Sequence, residues 1–315
     1  MKSIAVVIPC YKASQKILDV LSEIGPEVSK IFVVDDACPE NSAELVKSKN
    51  KDSRVSIILH KENQGVGGAV ISGYLAAIEA GSDIIVKLDA DGQMDPKQIV
   101  ELIEPIIDGQ ADYTKGNRFA NLAGLEQMPG IRVLGNGALS LMTKFSTGYW
   151  NITDPTNGFT AIHRDVLKLI PLEMVSKRFF FESDMLFRLS VVRAVVWDVA
   201  MEAKYGDEKS NLSVAKALFE FPIKHFTRFH KRLFYNYYLR DMSAASIELP
   251  LGAALGWFGL IFGIVKFRES LITLVPATAG TVMLSAVPLI LGLQLVLAFL
   301  NYDIASIPKR IKHKK

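Results

Sequence analysis

Residues 249–265 and 271–300 contain no charged side chain, and nothing else in the 315-residue chain constrains its fold as strongly. Each run approaches the ~20 apolar residues that cross a hydrocarbon core. A globular core seldom keeps two such runs free of charge, so the pattern predicts two transmembrane helices joined by Lys266-Phe-Arg-Glu-Ser270. Pro276, Pro288 and several glycines are tolerable inside membrane helices. Lys224, Arg228, Lys231, Arg232 and Arg240 precede the first run, and Lys309, Arg310, Lys312, Lys314 and Lys315 follow the second. Only Lys266 and Arg268 lie between, so the positive-inside rule puts both ends on the cytoplasmic side of an inner or plasma membrane. Residues 219–238 mix phenylalanines and tyrosines with basic side chains, which suits helices lying in the headgroup layer.

Roughly the first 120 residues alternate differently. Strands are expected at 4–8, 30–34, 55–59, 83–88 and 112–116, with helices at 15–24, 43–49, 68–80 and 96–107. This rhythm predicts a mainly parallel sheet covered by helices. The fourth strand, Asp83-Ile-Ile-Val-Lys-Leu88, runs straight into Asp89-Ala90-Asp91. A buried strand that stops there delivers two carboxylates to the carboxyl edge of the sheet, where open α/β folds bind ligands. With Gln93 as a neutral oxygen donor, the pair suits a hard cation, Mg²⁺ or Mn²⁺, clamping a diphosphate. An EF-hand would need Gly and Glu where the chain has Met94 and Val100, and would follow a helix.

Asp35-Asp36 end another strand, where Asp36 is placed to accept hydrogen bonds from a base or ribose. The turn Gly65-Val66-Gly67-Gly68 opens a helix and brings backbone amides close to a ribose or phosphate. It is neither a P-loop nor a complete dinucleotide fingerprint. The net charge of +3 is too small to argue for nucleic acid. Cys10 and Cys38 have neither metal-site spacing nor a secreted disulfide pattern, which favours a reducing, cytosolic setting. The opening Met-Lys-Ser-Ile-Ala-Val-Val-Ile-Pro reads as a first strand and not as a signal peptide. The polar stretch 205–213 reads as a mobile loop able to close over a diphosphate with Lys209, and Lys216 lies just beyond it.

Taken in order, Val7-Ile8-Pro9-Cys10-Tyr11, Val33-Val34-Asp35-Asp36, Asn63-Gln64-Gly65-Val66-Gly67-Gly68-Ala69 and Leu88-Asp89-Ala90-Asp91-Gly92-Gln93 resemble the inverting family-2 glycosyltransferases of the GT-A fold. Gly116-Asn117-Arg118-Phe119, Asp154-Pro155-Thr156-Asn157-Gly158-Phe159 and the stretch from Tyr238 to Gly252 are similar to its polyprenyl-phosphate branch, typified by dolichol-phosphate mannosyltransferases. The resemblance implies an α/β, Rossmann-like, mainly parallel sheet with helices on both faces, followed by interfacial helices and two transmembrane helices. The expected divisions are a cytosolic catalytic domain at 1–213, interface helices at 214–243, the two spans at 244–300 and a basic tail at 301–315.

The resemblance also implies roles. Asp89, Asp91 and Gln93 would hold the metal on a sugar-nucleotide diphosphate, and Pro9, Tyr11, Asp36 and the Gly65, Gly67, Gly68 turn would hold the nucleoside. Arg118 would grip the acceptor phosphate, with Arg132 as a second candidate, because a fork-shaped cation suits a dianion. Asp154 looks like the acidic residue near the sugar, and Glu182 lies where related transferases carry an Asp base. Lys12 and Ala37-Cys38 depart from the family pattern, so the base and sugar do not carry over. The expected reaction is inverting transfer of one monosaccharide from a UDP- or GDP-linked donor to a polyprenyl phosphate at the cytosolic membrane face. A processive polysaccharide synthase would need Gln-x-x-Arg-Trp and more helices, and a non-catalytic binding module would have lost the metal carboxylates. A homo-oligomer is left open.

Overall fold

The structure is a computed structural model that describes residues 2–120, 130–201 and 214–314. It divides into two compact units, residues 1–229 with 308–315, and residues 230–307. The first unit is built on one seven-stranded sheet of order β3-β2-β1-β4-β6-β5-β7. Its strands are β1 Ile4–Cys10, β2 Lys30–Asp35, β3 Val55–Leu59, β4 Ile84–Lys87, β5 Tyr113–Asn117, β6 Thr160–His163 and β7 Val196–Ala200. β6 alone runs antiparallel to its neighbours β4 and β5. The helices are α1 Ile17–Glu23, α2 Ser42–Lys49, α3 Val66–Glu79, α4 Ile99–Ile107, α5 Gly130–Thr147, the single turn α6 Arg164–Leu167, and α7 Phe181–Val191.

A mainly parallel sheet is covered on both faces, so its strands are apolar throughout and their side chains alternate between two cores. Ile4, Val6 and Ile8 of β1 pack with α1 and α4 through Val20, Leu102 and Ile106, whereas Ala5 and Val7 pack with α3 and α7 through Tyr74, Met185 and Leu189. The five expected strands and four expected helices are all present within a few residues of their predicted limits. β6 and β7 were not foreseen. They insert at and beyond β5 and carry the sheet edge on to residues 157–158 and 198–200.

Residues after Pro308 return to this unit instead of forming a separate tail. Asp112 Oδ1 accepts from the backbone N–H groups of Lys312 and His313 at 2.9 and 3.2 Å, and its Oδ2 accepts from Val195 N at 2.8 Å. The His313 ring stacks on His163 with centroids 4.1 Å apart.

The second unit holds α9 Ala244–Thr273 and α10 Ala279–Ala305, both long and apolar enough to cross a membrane. They follow α8 Val214–Phe234, which continues into a π-helical turn, Tyr235–Arg240. The connection differs from expectation. Lys266 to Ser270 belong to α9, with Lys266 paired to Glu269 at 2.7 Å, and the break lies at 274–278, where Leu274 takes a left-handed φ of 56° ahead of Pro276. Charges one turn from a helix end reach water without ending the helix, whereas Pro276 disfavours helical geometry in the residue before it. Arg232 and Asp303 form a buried pair at 2.6 Å, with the Tyr237 hydroxyl donating to the same carboxylate.

His163 and His225 are both buried, and burial pushes each down to about 4, helped for His163 by the charge of His313. Each therefore enters the folded state neutral and takes up a proton only on unfolding. Stability is expected to fall as pH drops from about 6.5 towards 4, where unfolded histidine binds the extra proton. Denaturant unfolding of the full-length protein at pH 7 and pH 5 checks this, and His225→Gln, which keeps an amide facing Ser146, should shrink the difference.

Candidate active site

The strand register brings the chemistry to one edge. Val7 pairs with Lys87, Lys87 with Thr160, Thr160 with Lys115, and Lys115 with Asp198. Successive cross-strand partners point to the same side of a sheet, here the side covered by α3 and α7. At this last rung the apolar face gives way to charge. Just beyond it lie Pro9 to Tyr11, Asp35-Asp36, Asp89 to Gln93, Arg118 and the 154–158 segment leading into β6.

Lys87 is the centre of that rung. Its side chain is 1% exposed, and its Nζ is 2.8 Å from Asp89 Oδ1 and 3.1 Å from Glu182 Oε1. Burial alone would push the amine down, but the two carboxylates more than offset this and hold it above the usual lysine range. The cation therefore ties the end of β4 to the first turn of α7. A Cβ on Gly158 would lie 2.3 Å from Lys87 Nζ and 2.5 Å from Asp89 Oδ2, so only glycine leaves room for the pair.

Asp91 shapes its own turn, accepting at Oδ1 from Gln93 N at 3.0 Å, with Gly92 at a φ of 74°. Among the described residues, no group of three or more His, Cys, Asp or Glu side chains forms a closed metal cage. Asp89, Asp91 and the Gln93 amide nevertheless offer only hard oxygen donors, the set that suits Mg²⁺ or Mn²⁺ completing its shell with water and substrate phosphate. The residues fit such an ion.

The second arrangement is Arg118 with Asp154. The carboxylate of Asp154 is 0% exposed and receives Arg118 Nε at 2.7 Å and Nη2 at 3.0 Å. Burial would raise its pKa, but the Arg118 hydrogen bonds and charge, with Lys115 behind them, bring it below the usual carboxylate range. Asp154 is thus an ionised, fully committed anchor and a poor proton acceptor. Arg118 Nη2 also reaches Thr156 Oγ1 at 3.2 Å, and the guanidinium is about one-third exposed. Phe119 and Thr153, its chain neighbour and that of Asp154, line a cavity of about 330 Å³ together with Asn136, Ser140 and Lys144 of α5.

Lys115 is fully buried and donates to the Asn157 carbonyl, and burial lowers it to about 8 against the pull of Asp154 and Glu182. Asp198 beside it is pushed up to about 6, chiefly by burial. Asp184 is buried too, accepting from Ser176 N at 2.9 Å and Arg228 Nε at 2.6 Å, so it fixes the start of α7.

Asp36, expected to face a base or ribose, is 2% exposed and accepts from Gln64 N and Gly65 N, each at 2.8 Å, while His60 Nδ1 lies 2.7 Å from Oδ1. It shapes the glycine turn from inside the protein. That turn meets backbone: a Cβ on Gly65 or Gly67 would lie 2.6 Å from Lys177 O or 2.4 Å from Ser176 O. Tyr11 stands exposed at the edge with Lys12 Nζ 5.5 Å from its ring centre, and Pro9 is buried in β1. Lys209 lies outside the described residues, and the side chains of Arg132 and Lys216 are likewise undescribed. Sequence reasoning missed Lys87, Lys115 and Asp198. A lysine inside an apolar run two residues before Asp89 was the available signal.

Comparison with known proteins bears on this geometry. Residues 5–170, just over half of the chain, match the family described as glycosyl transferase family 2. The UDP-N-acetylglucosamine--dolichyl-phosphate N-acetylglucosaminyltransferase of Methanococcus voltae is 32% identical over 192 residues, covering 56% of this chain and 76% of that protein. The undecaprenyl-phosphate mannosyltransferase of Micrococcus luteus is 31% identical over 211 residues, covering 64% and 85%. A crystal structure of glucosyl-3-phosphoglycerate synthase from Mycobacterium tuberculosis with Mn²⁺, UDP and glucosyl-3-phosphoglycerate superposes with a TM-score of 0.55 at 17% identity, covering 73% of this chain and 80% of that one. At that identity the likeness shows the fold alone, and the fold is GT-A-like.

Gly158→Ala is expected to force Lys87 and Asp89 apart, costing about 1–3 kcal/mol of stability as overpacking of a filled core does. Thermal unfolding of the variant measures that cost, and an unchanged transition would contradict the packing described.

Proposed function

The chain belongs to glycosyl transferase family 2, and we propose that it transfers one sugar from a nucleotide-sugar, UDP- or GDP-linked, to a polyprenyl phosphate at the cytosolic face of a membrane, with inversion at the anomeric carbon. The observation that carries this reading is the Arg118 fork, held in place by the buried Asp154 carboxylate at the same strand-end edge as Asp89 and Asp91. Relatives named for dolichyl- and undecaprenyl-phosphate acceptors, and two helices of membrane-spanning length beyond the catalytic unit, support a lipid phosphate as the acceptor.

A bound Mg²⁺ or Mn²⁺ would neutralise the leaving diphosphate, and Asp89, Asp91 and Gln93 would hold it. The rest of the chemistry falls to the protein. A lipid phosphate is already ionised at neutral pH, so its oxygen attacks the anomeric carbon without prior deprotonation, the glycosidic C–O bond to the diphosphate breaks, and the nucleoside diphosphate leaves with the bonding electrons. Arg118 orients the attacking phosphate, and Asp154 fixes Arg118 without taking a proton. Glu182, tied to Lys87, helps hold the metal edge in place. Pro9, Tyr11 and the Gly65–Gly68 turn form the nucleoside side of the site, with Asp36 supporting that turn from behind. The 330 Å³ cavity beside Phe119 is the space next to Arg118 in which the acceptor end is received.

Two measurements test the reading. Arg118→Lys keeps the charge but loses the fork, so transfer should fall roughly ten- to a hundred-fold, matching the ~1.5–3 kcal/mol of a charge-assisted bond, while nucleotide-sugar affinity stays nearly unchanged. Equal loss of both would place Arg118 outside acceptor binding. Excess EDTA should abolish transfer and added Mg²⁺ or Mn²⁺ should restore it, with Asp91→Ala insensitive to the restoration. Full turnover in EDTA would remove the metal from the account.

A further inference from the structure

The metal-binding edge contains a permanent cation of its own. Lys87 Nζ contacts Asp89 Oδ1 and Glu182 Oε1 at 2.8 and 3.1 Å, from a side chain that is 1% exposed. The amine and the Asp89 carboxylate both lie close to Gly158, where an added Cβ would sit 2.3 Å from the one and 2.5 Å from the other. One ammonium against the three carboxylates of Asp89, Asp91 and Glu182 leaves two negative charges at the end of β4. A fixed positive charge this close repels an incoming dication, and the effect is strong in a partly buried, low-dielectric setting. The diphosphate of a nucleotide brings negative charge of its own and reverses the balance.

We infer that Lys87 sets the charge of this edge so that a divalent cation is held together with a nucleotide diphosphate and only weakly by the protein alone. The inference rests on the proposed sugar-nucleotide reading and adds to it an order of events: the cation enters and leaves with the nucleotide, and the free protein does not hold it as a resident ion. Lys87 is a positioning residue in this scheme. It is buried behind Asp89 and acts through that carboxylate.

The test titrates the full-length protein in detergent micelles with Mn²⁺, alone and with UDP or GDP, following free Mn²⁺ by electron paramagnetic resonance. The wild type should bind Mn²⁺ at least about ten-fold more tightly with one of the nucleotides than without. Lys87→Met keeps the apolar stem and removes the charge, so it should bind Mn²⁺ alone about ten-fold or more tightly than wild type does. Lys87→Met combined with Glu182→Gln restores the net charge and should return Mn²⁺ affinity close to the wild-type value. A folded Lys87→Met protein that binds Mn²⁺ alone no more tightly than wild type overturns the inference and leaves the proposed function standing. If Lys87→Met does not fold, Glu182→Gln decides. It leaves Lys87 paired with Asp89 and should weaken Mn²⁺ binding with nucleotide about ten-fold, and an unchanged affinity overturns the inference. A wild type that binds no Mn²⁺ with either nucleotide present overturns the metal reading and this inference together.

Discussion

An ammonium buried inside the sheet is the interaction on which the rest of this site depends. Lys87 occupies a strand position whose neighbours Ile85 and Val86 are fully buried apolar side chains, and an isolated charge there would be neutralised or expelled. It stays charged because Asp89 and Glu182 receive it. The converse holds too. Two carboxylates from separate elements would repel each other, and the lysine turns that repulsion into a link between β4 and α7. Removing both carboxylates would strand a charge in the sheet, because Lys87 is 1% exposed while Asp89 and Glu182, at 28% and 14%, keep some contact with water. The edge that presents Asp89 is therefore rigid before any ligand arrives, which is what a metal and a diphosphate need from it.

A similar logic organises the Arg118 side of the edge. Asp154 is wholly buried and Arg118 is not, so the carboxylate is the fixed element and the guanidinium is the part that reaches outward. Burial alone would raise Asp154, but the Arg118 hydrogen bonds and charge, with a smaller contribution from Lys115, hold that carboxylate below the usual range. Along one rung of the sheet, Lys87 and Lys115 stand two strands apart with Thr160 between them. Each is electrostatically coupled to a different carboxylate of the edge, Lys87 to that of Asp89 and Lys115 to that of Asp154. The antiparallel β6 makes this possible, because it feeds residues 154–158 into the carboxyl edge of a sheet whose other strands deliver residues to that edge at their ends.

Much of this was legible in the sequence. The five strands and the four helices between them show because buried parallel strands are unbroken apolar runs, and Asp89-Ala90-Asp91 shows because it interrupts one of them. β6 and β7 do not show. β6 is four residues long and ends in His163, while β7 is a sheet-edge strand with Trp197 exposed and Asp198 half-buried, so neither carries a clear apolar period. The pairing of Arg118 with Asp154 joins residues that have helix α5 between them in the chain, and only the fold brings them together. Asp36 read as a ligand contact, yet its oxygens hold the Gly65 turn, a use that no local pattern distinguishes from the other. The break between the two apolar helices was misplaced because charge was weighed above proline. Lys266 to Glu269 remain helical and Pro276 marks the turn.

The central claim is that this chain joins a single sugar to a lipid phosphate. The most direct measurement incubates the purified full-length protein with undecaprenyl phosphate and a panel of radiolabelled UDP- and GDP-sugars, then extracts into organic solvent and identifies the labelled product by mass spectrometry. The account predicts one nucleotide-sugar whose label moves to the organic phase as a polyprenyl phosphate bearing one sugar of inverted anomeric configuration. Label recovered only in a growing polysaccharide, or in a water-soluble acceptor, would contradict it.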